Sequence, residues 1–454
     1  MEVEIISTQL VKPSSPTPPH LKIFKLSLLD HLIPAPYAPI ILFYPMDYDS
    51  TSHLEMDPNR FELLKKSLSN TLTRFYPLAG RMKDDLSITC DDQGAYFVEA
   101  RVNCHLHEFL NRPDLLLLPK FLPRDFNSNE PVAGTCVTNI QVNKFRCGGM
   151  AIGICISHKI LDGAALSTFL KAWTATARGC KEAIYPNFIS TSLFPATDDL
   201  WLRDSSLVMW GSFFKKGKSV TRRIVFGASS VAALKAQATI SGVRCPTQVE
   251  TVSAFLWKCT MAASKEKNGR HSSRPSLLTH LVNLRRRMAH NMENSTGNLL
   301  WVASAKSSKA ENLSDLPDLV RRLREAISRV DGDLIKKLRD NDQGKSLFSK
   351  ALTEIGDEVS KEGLEHYGFT SWCKLGFYEA DFGWGKPVWV SSFGMENAVY
   401  MNLIILVDIG AGDGIEAWVT LDEQHMAALE RDGELLQLAM FDPSPLMISN
   451  SFLH

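Results

Sequence analysis

The chain has 454 residues, 44% of them hydrophobic and 22% charged; this excludes a disordered chain and exceeds one ordinary core, so two large domains are the simplest expectation. Fifty basic residues balance fifty acidic ones, so no global field draws nucleic acid or an anionic membrane, and the expected partner is a small molecule in a local site. Nine scattered cysteines with no Cys-x-x-Cys pair speak against a disulfide framework or zinc knuckle and for a reducing compartment.

The N-terminus carries acidic residues where a signal peptide has basic ones. The longest apolar stretches, such as 401–410, are too short to span a bilayer. A cytoplasmic protein is expected. Residues 3–11 read as a strand, stopped by the four prolines of 12–20. A helix is predicted over 58–75, with Phe61, Leu64, Leu68 and Leu72 near one face and Pro77 and Gly80 closing it. Residues 87–102 read as a hairpin turning at DDQG. Two strands flank Gly148-Gly149; the second, MAIGICIS, is apolar on both faces and so reads as a buried central strand, with His158 at its end. A helix follows Gly163 and stops at Gly179. Residues 180–222 hold no strong period, and the interdomain crossover is placed there; the expected domains are 1–200 and 223–454, with 201–222 as linker. The second half reads as strand and helix over 222–238, a helix over 247–265 and a strand over 276–288 ending in Arg285, Arg286 and Arg287. One mixed-charge helix is expected over 316–338, then a hairpin over 398–421 and a last helix over 422–439. Each half mixes strands with helices, an α/β or α+β body.

Several catalytic motifs fail. No Gly-x-Ser-x-Gly elbow occurs. In GSFFKKGKS five residues separate Gly211 from Gly217, one too many for a phosphate loop. Asp381-Phe382-Gly383 has no His-Arg-Asp upstream, and no Gly-x-Gly-x-x-Gly opens a helix after a strand. No histidine–cysteine cluster has zinc spacing, so no metal is expected. Two His-x-x-x-Asp pairs remain. Asp57, four residues after His53, reads as an N-cap ahead of Pro58. His158 ends a buried strand, where ligand sites of α/β folds gather. On the residues alone His158 is either a general base or a satisfied structural histidine. Asp162 reaches it only if HKILDG is helical; otherwise it turns away and anchors the loop to an arginine. Gly163 is expected to permit a tight turn.

HKILDG at 158–163 and DFGWG at 381–385 come in this order, about half the chain apart. With PSSPTP, SLSNTLTRFYPLAGRM, NLRRRM and TSWCKLGFYEADFGWGKPVWV, they resemble the plant CoA-dependent acyltransferases of the BAHD family over essentially the whole chain. The flanks are most similar to the branch that includes vinorine synthase and other alkaloid and terpenoid acetyltransferases. The resemblance implies an α/β fold of two similarly sized chloramphenicol-acetyltransferase-like domains. Each would be a mixed sheet with helices, joined by a long crossover, with a channel between them. It implies an acyl-CoA-dependent O-acyltransferase with no permanently bound cofactor. Acetyl-CoA is the expected co-substrate, and a hydroxyl of an alkaloid or terpenoid the expected acceptor. Sugar, phenolic or amine acceptors, or a non-catalytic binding protein, are the alternatives. A monomer is expected.

Carried over by residue, His158 is the base, and Trp372, with Thr370 beside it, donates to the oxyanion. Asp162 and Arg285 form a structural brace beside Gly163. Asp381, Phe382, Gly383, Trp384 and Gly385 form a structural loop in which Trp384 is the buried anchor. Ser253, Lys258 and Ser371 face CoA. Arg286 and Arg287 are either solvated or in contact with CoA phosphates. Leu161 departs from the alanine common in this branch.

Overall fold

The structure is a computed structural model that describes every residue except 34–36, 47–59, 124–132, 197–199, 269–273, 289–291, 308–314, 393–398, 411 and 451–454. His53 and Asp57 therefore lie outside the described residues. No helix among the described residues is long and apolar enough to cross a membrane.

Two mixed sheets dominate. The first runs in the order Val3–Val11, Ala95–Val102, Thr138–Phe145, Met150–Ser157, Tyr37–Tyr44 and Trp389–Ser391. Only the pairing of Ala95–Val102 with Thr138–Phe145 is parallel. Every residue of Met150–Ser157 is buried, as its unbroken apolar run requires of a central strand. Helices Arg60–Arg74 and Gly163–Ala177 cover one face. Leu64, Leu68 and Leu72 share a fully buried stripe with Phe169 and Trp173, while Phe61 packs at its margin. The second sheet runs Leu300–Ser307, Ser276–Asn283, Glu365–Ser371, Leu403–Asp408, Ile415–Asp422, Ser219–Phe226 and Met440–Phe441. Helix Gln248–Asn268 places Phe255 and Trp257 in its core.

The halves exchange pieces. Strand Trp389–Ser391 belongs by sequence to the second half, yet it pairs antiparallel with Tyr37–Tyr44 in the first sheet. In return the short helix Leu28–His31 belongs by sequence to the first half, yet Leu28, Leu29 and Leu32 are buried in the core of the second. The apolar face of that helix decides where it docks, and this turns Asp30 toward the second half. Within residues 201–222, expected as the linker, helix Leu200–Phe213 fills most of the stretch and buries Met209 and Phe213.

Three expectations need correction. The stretch 87–102 is not a hairpin. Ser87–Thr89 pairs with Ile23–Lys25 and Arg81–Asp84 in a small separate sheet, while Ala95–Val102 joins the first sheet. Gly94 explains the split: with φ +99°, it passes so close to Val11 that a Cβ would lie 2.4 Å from its carbonyl oxygen. The next strand is thereby committed to Val3–Val11. The helix expected over 316–338 is two, Leu316–Ser328 and Gly332–Arg339, because the Asp331 carboxylate accepts the Leu334 N–H and starts a new helix. The last helix splits for the same reason: Asp432 caps Gly433–Leu438 after Glu423–Leu429 has ended.

Burial also sets an acid limit on the fold. His366 stacks on Phe213 with ring centroids 4.3 Å apart, and its Nε2 is 2.9 Å from Thr279 Oγ1. Burial, then nearby Lys215, pushes its pKa down from 6.5 to about 3. The unfolded chain therefore binds this proton first. The stabilisation is full above pH 6.5 and is lost as pH falls toward 3, by up to about 1.4 kcal/mol per pH unit. His366→Phe keeps the stack and removes the titrating group. Its melting temperature is expected to fall less steeply between pH 7 and 5 than that of the wild type. Parallel curves would assign the acid sensitivity elsewhere.

Candidate active site

Met150–Ser157 ends at the face where the two halves meet, and His158 follows it half-buried. The chain turns there, with Ile160 N–H donating to Ser157 C=O, and Asp162 opens helix Gly163–Ala177. The Asp162 carboxylate caps that helix by accepting the Ala165 N–H at 2.9 Å. HKILDG is thus strand end, turn and N-cap, not a helical turn that would bring Asp162 under His158.

Asp162 is 1% exposed. Besides its cap it accepts from Arg285 Nη1 at 2.6 Å and from Leu299 N–H at 3.1 Å. Arg285 also donates to the carbonyls of Ser295 and Gly297. The pair ties the His158 turn to residues 295–299 of the second half, and Leu161 forms a parallel bridge with Gly297. Asp162 makes no hydrogen bond with His158. Arg285 is the arginine expected to meet it. Arg287 donates to Asn283 C=O, and burial, then Arg286, lowers its pKa, while Arg286 is exposed.

The partner of His158 is a residue the sequence reading missed. His158 Nδ1 lies 3.1 Å from Asn298 Oδ1. The Asn298 amide has a fixed orientation, because its nitrogen donates to His158 C=O at 2.7 Å and to Asp30 Oδ1 at 2.9 Å. The oxygen left facing the imidazole is an acceptor, so Nδ1 carries the hydrogen and Nε2 presents a lone pair. Asp30 is 1% exposed and also accepts the Asn298 N–H at 2.7 Å. Its other oxygen accepts Ser27 N–H and Oγ–H at 2.8 and 2.6 Å. Burial raises the Asp30 pKa, and the hydrogen bonds from Ser27 and Asn298 oppose this. The one signal for Asn298 was the Gly297-Asn298 dipeptide, a turn marker.

Gly297 makes this approach possible. Its φ is +95°, and a Cβ would lie 2.6 Å from Ser190 Oγ and 3.6 Å from Asp30 Oδ1. Gly297→Ala is expected to destabilise the fold by about 1–3 kcal/mol and to lower kcat by displacing Asn298. Chemical denaturation and steady-state kinetics measure both. An alanine variant with wild-type kcat would remove Asn298 from the working site.

Trp372 follows strand Glu365–Ser371, its N–H donating to Leu406 C=O at 2.7 Å. Its indole lies against the start of helix Gly163–Ala177: a Cβ on Gly163 would be 3.7 Å from Trp372 Nε1 and 2.9 Å from Leu375 Cδ1. Gly163 is therefore needed for space, not for the tight turn expected of it; it is the first helical residue. Trp372 thus stands beside the turn that carries His158. Thr370, on the same strand, is half-buried opposite Ile405.

Of the three residues expected to face CoA, Ser253 alone is placed out of reach. Ser253 is fully buried on the inward face of its helix, beyond reach of a solvent-borne ligand. Lys258 Nζ is held by both Glu434 oxygens at 2.6 and 2.9 Å. Ser371 Oγ accepts the Cys373 N–H at 3.2 Å, closing the turn after the strand.

The DFGWG segment is a closed loop. Asp381 Oδ1 accepts the N–H groups of Gly383 and Gly385 at 2.7 and 3.0 Å, and both glycines have positive φ. Phe382, not Trp384, is the fully buried anchor. It meets Trp173 edge-on at 4.8 Å, and Trp384 stacks half-buried on its outer side beneath Arg60. Tyr44 Oη–H donates to Ala380 C=O at 2.7 Å. The loop thus fixes second-half chain to first-half core just before strand Trp389–Ser391.

Outside this site, His105, His107 and Glu108 bring three donor atoms within 4.8 Å of one another. Two of the three are exposed, and Glu108 already accepts the His105 N–H, so no ion is assigned there.

Comparison with known proteins decides the family. The Transferase family pattern matches residues 1–436. The limonoid 7-O-acetyltransferase of Citrus sinensis is 44% identical over 465 aligned residues, covering 98% of this chain and all of the relative. The chain belongs to the BAHD family of acyltransferases. Vinorine synthase of Rauvolfia serpentina is 36% identical over 460 aligned residues, covering 97% of this chain and 99% of the relative. Its crystal structure superposes with a TM-score of 0.78 over 96% of this chain and 98% of that one. The F. sporotrichioides protein TRI101, solved with Coenzyme A and T-2, is 18% identical with a TM-score of 0.66 over 92% of this chain and 99% of that one, a likeness of fold. The expected two-domain α/β architecture and the enzyme class both stand: this is an acyl-CoA:alcohol O-acyltransferase.

Proposed function

We propose that the protein transfers an acetyl group from acetyl-CoA to a hydroxyl of a plant terpenoid, with alkaloid alcohols as the neighbouring class. The terpenoid preference is supported by relatives named limonoid 7-O-acetyltransferase, at 44% identity, and epi-neemfruitin B 7-O-acetyltransferase, at 43%. A relative named for alkaloid chemistry, akuammiline synthase 2, is 37% identical. The observation that carries the mechanism is the contact of His158 Nδ1 with the Asn298 amide oxygen, which leaves Nε2 as the basic nitrogen of a half-buried imidazole at the junction of the halves.

In the reaction His158 Nε2 takes the acceptor's hydroxyl proton as the oxygen attacks the thioester carbonyl. The C–O bond forms while the carbonyl electrons move onto oxygen, where the Trp372 indole N–H, with Thr370 nearby, donates to the oxyanion. Collapse expels the CoA thiolate, which the imidazolium reprotonates. A thiolate leaves readily, so no acyl-enzyme is needed, and holding both substrates together supplies much of the acceleration. The protein acts as a cytoplasmic monomer.

Free-thiol release from acetyl-CoA, measured with limonoid-type, alkaloid, phenolic and sugar alcohols in turn, tests this reading. Release that depends on a terpenoid or alkaloid alcohol is expected. Turnover confined to sugars or amines, or binding of every alcohol without turnover, would overturn it.

A further inference from the structure

We infer that Asp30 is a positioning residue for the acyl transfer: through Asn298 it holds the His158 tautomer and supplies the negative charge that stabilises the imidazolium. The inference rests on His158 being the base.

Four donors converge on the Asp30 carboxylate, two from Ser27 and two from Asn298. With a donor on every contact, the group acts as an ionised acceptor. Two of those donors belong to Asn298, so Asp30 fixes both the backbone and the amide plane of the residue that meets the imidazole. Asp162, the more conspicuous carboxylate, is committed to Arg285, Ala165 and Leu299. Its charge is matched by the guanidinium, whereas Asp30 has neutral donors only. The effective anion behind His158 is therefore contributed by the first half of the chain through an amide of the second. The chain Asp30–Asn298–His158 assembles only when the Leu28–His31 helix is docked in the second core.

Among the described residues, the other charged or titratable groups around this relay are the Asp162–Arg285 pair, His31 on Asp30's own helix, and Lys159, whose Nζ donates to His31 C=O at 3.4 Å. None of these changes in the variants below.

Asp30→Asn keeps the shape and removes the charge. Its kcat is expected to fall roughly tenfold to a hundredfold, part of what a general base contributes. The KM for acetyl-CoA should stay within about twofold, and the acid limb of kcat/KM should move to lower pH, because an imidazolium without its anion deprotonates more readily. A purely structural role would not move that limb. Asp30→Glu keeps the charge behind Asn298 and leaves the amide that donates to His158 C=O in place. It should retain more activity than Asp30→Asn and keep the acid limb nearer that of the wild type. Melting curves accompany both, and if Asp30→Asn does not fold, Asp30→Glu decides alone.

An unchanged acid limb in folded Asp30→Asn, or a folded Asp30→Glu variant whose acid limb lies as low as that of Asp30→Asn or lower, would overturn the inference. Wild-type turnover in His158→Ala would instead overturn the base assignment beneath it.

Discussion

His158→Ala is expected to lower kcat by about 10²–10⁴-fold with little change in the KM for acetyl-CoA. The range follows from what general-base catalysis contributes when substrate positioning is left in place. Nδ1 is occupied by Asn298, so Nε2 is the basic atom at the strand end, and alanine removes it alone. The fold should tolerate the change. The residue is half-buried, and its loss frees one face of the Asn298 amide while both amide hydrogens keep acceptors in Asp30 and the residue-158 carbonyl. Kinetics and a melting curve on the same preparation separate the two effects. A variant impaired only through a raised KM would mean that His158 binds substrate and does not take the proton.

Asp162→Ala is expected to lose activity by a different route, through the fold. Asp162 and Arg285 are nearly buried, with side-chain exposures of 1% and 10% and a 2.6 Å contact. Removing one partner of a buried pair costs about 3–5 kcal/mol, because the other charge stays buried without compensation. The lost helix cap adds about 1 kcal/mol. Leu299 N–H loses its acceptor in the same change, next to Asn298. Asp162→Ala should therefore show a large fall in denaturation midpoint together with loss of acetyl transfer. Asp162→Asn keeps a capping oxygen but leaves Arg285 unmatched, and should fall between. An inactive Asp162→Ala of wild-type stability would contradict the brace and imply direct participation in proton transfer.

Much of the first half was legible because its signals are local. The unbroken apolar run of Met150–Ser157 announced a central strand, and the strand placed His158. The capping aspartates were legible too, but were not read. Asp162, Asp331 and Asp432 each precede a glycine and each cap a helix that starts at that glycine. Reading all three alike would have divided 316–338 and 422–439 into two helices each and shown Asp162 as a cap.

The exchanges between halves were not legible. Trp389–Ser391 is a three-residue strand whose partner lies more than three hundred positions upstream, and no periodicity encodes that pairing. Asn298 lies 140 positions from His158, in a segment without periodic pattern. Ser253 failed for a different reason: a helix as apolar as Gln248–Asn268 does not say which side its small polar residues face.

The most direct measurement is kcat/KM for acetyl transfer as a function of pH in the wild type and in His158→Ala, over the range where both remain folded. The wild-type value should fall on acidification as the base is protonated, and the residual rate of the variant should lack that ionisation. A variant that keeps the wild-type rate, or the same acid limb, would show that another group takes the proton.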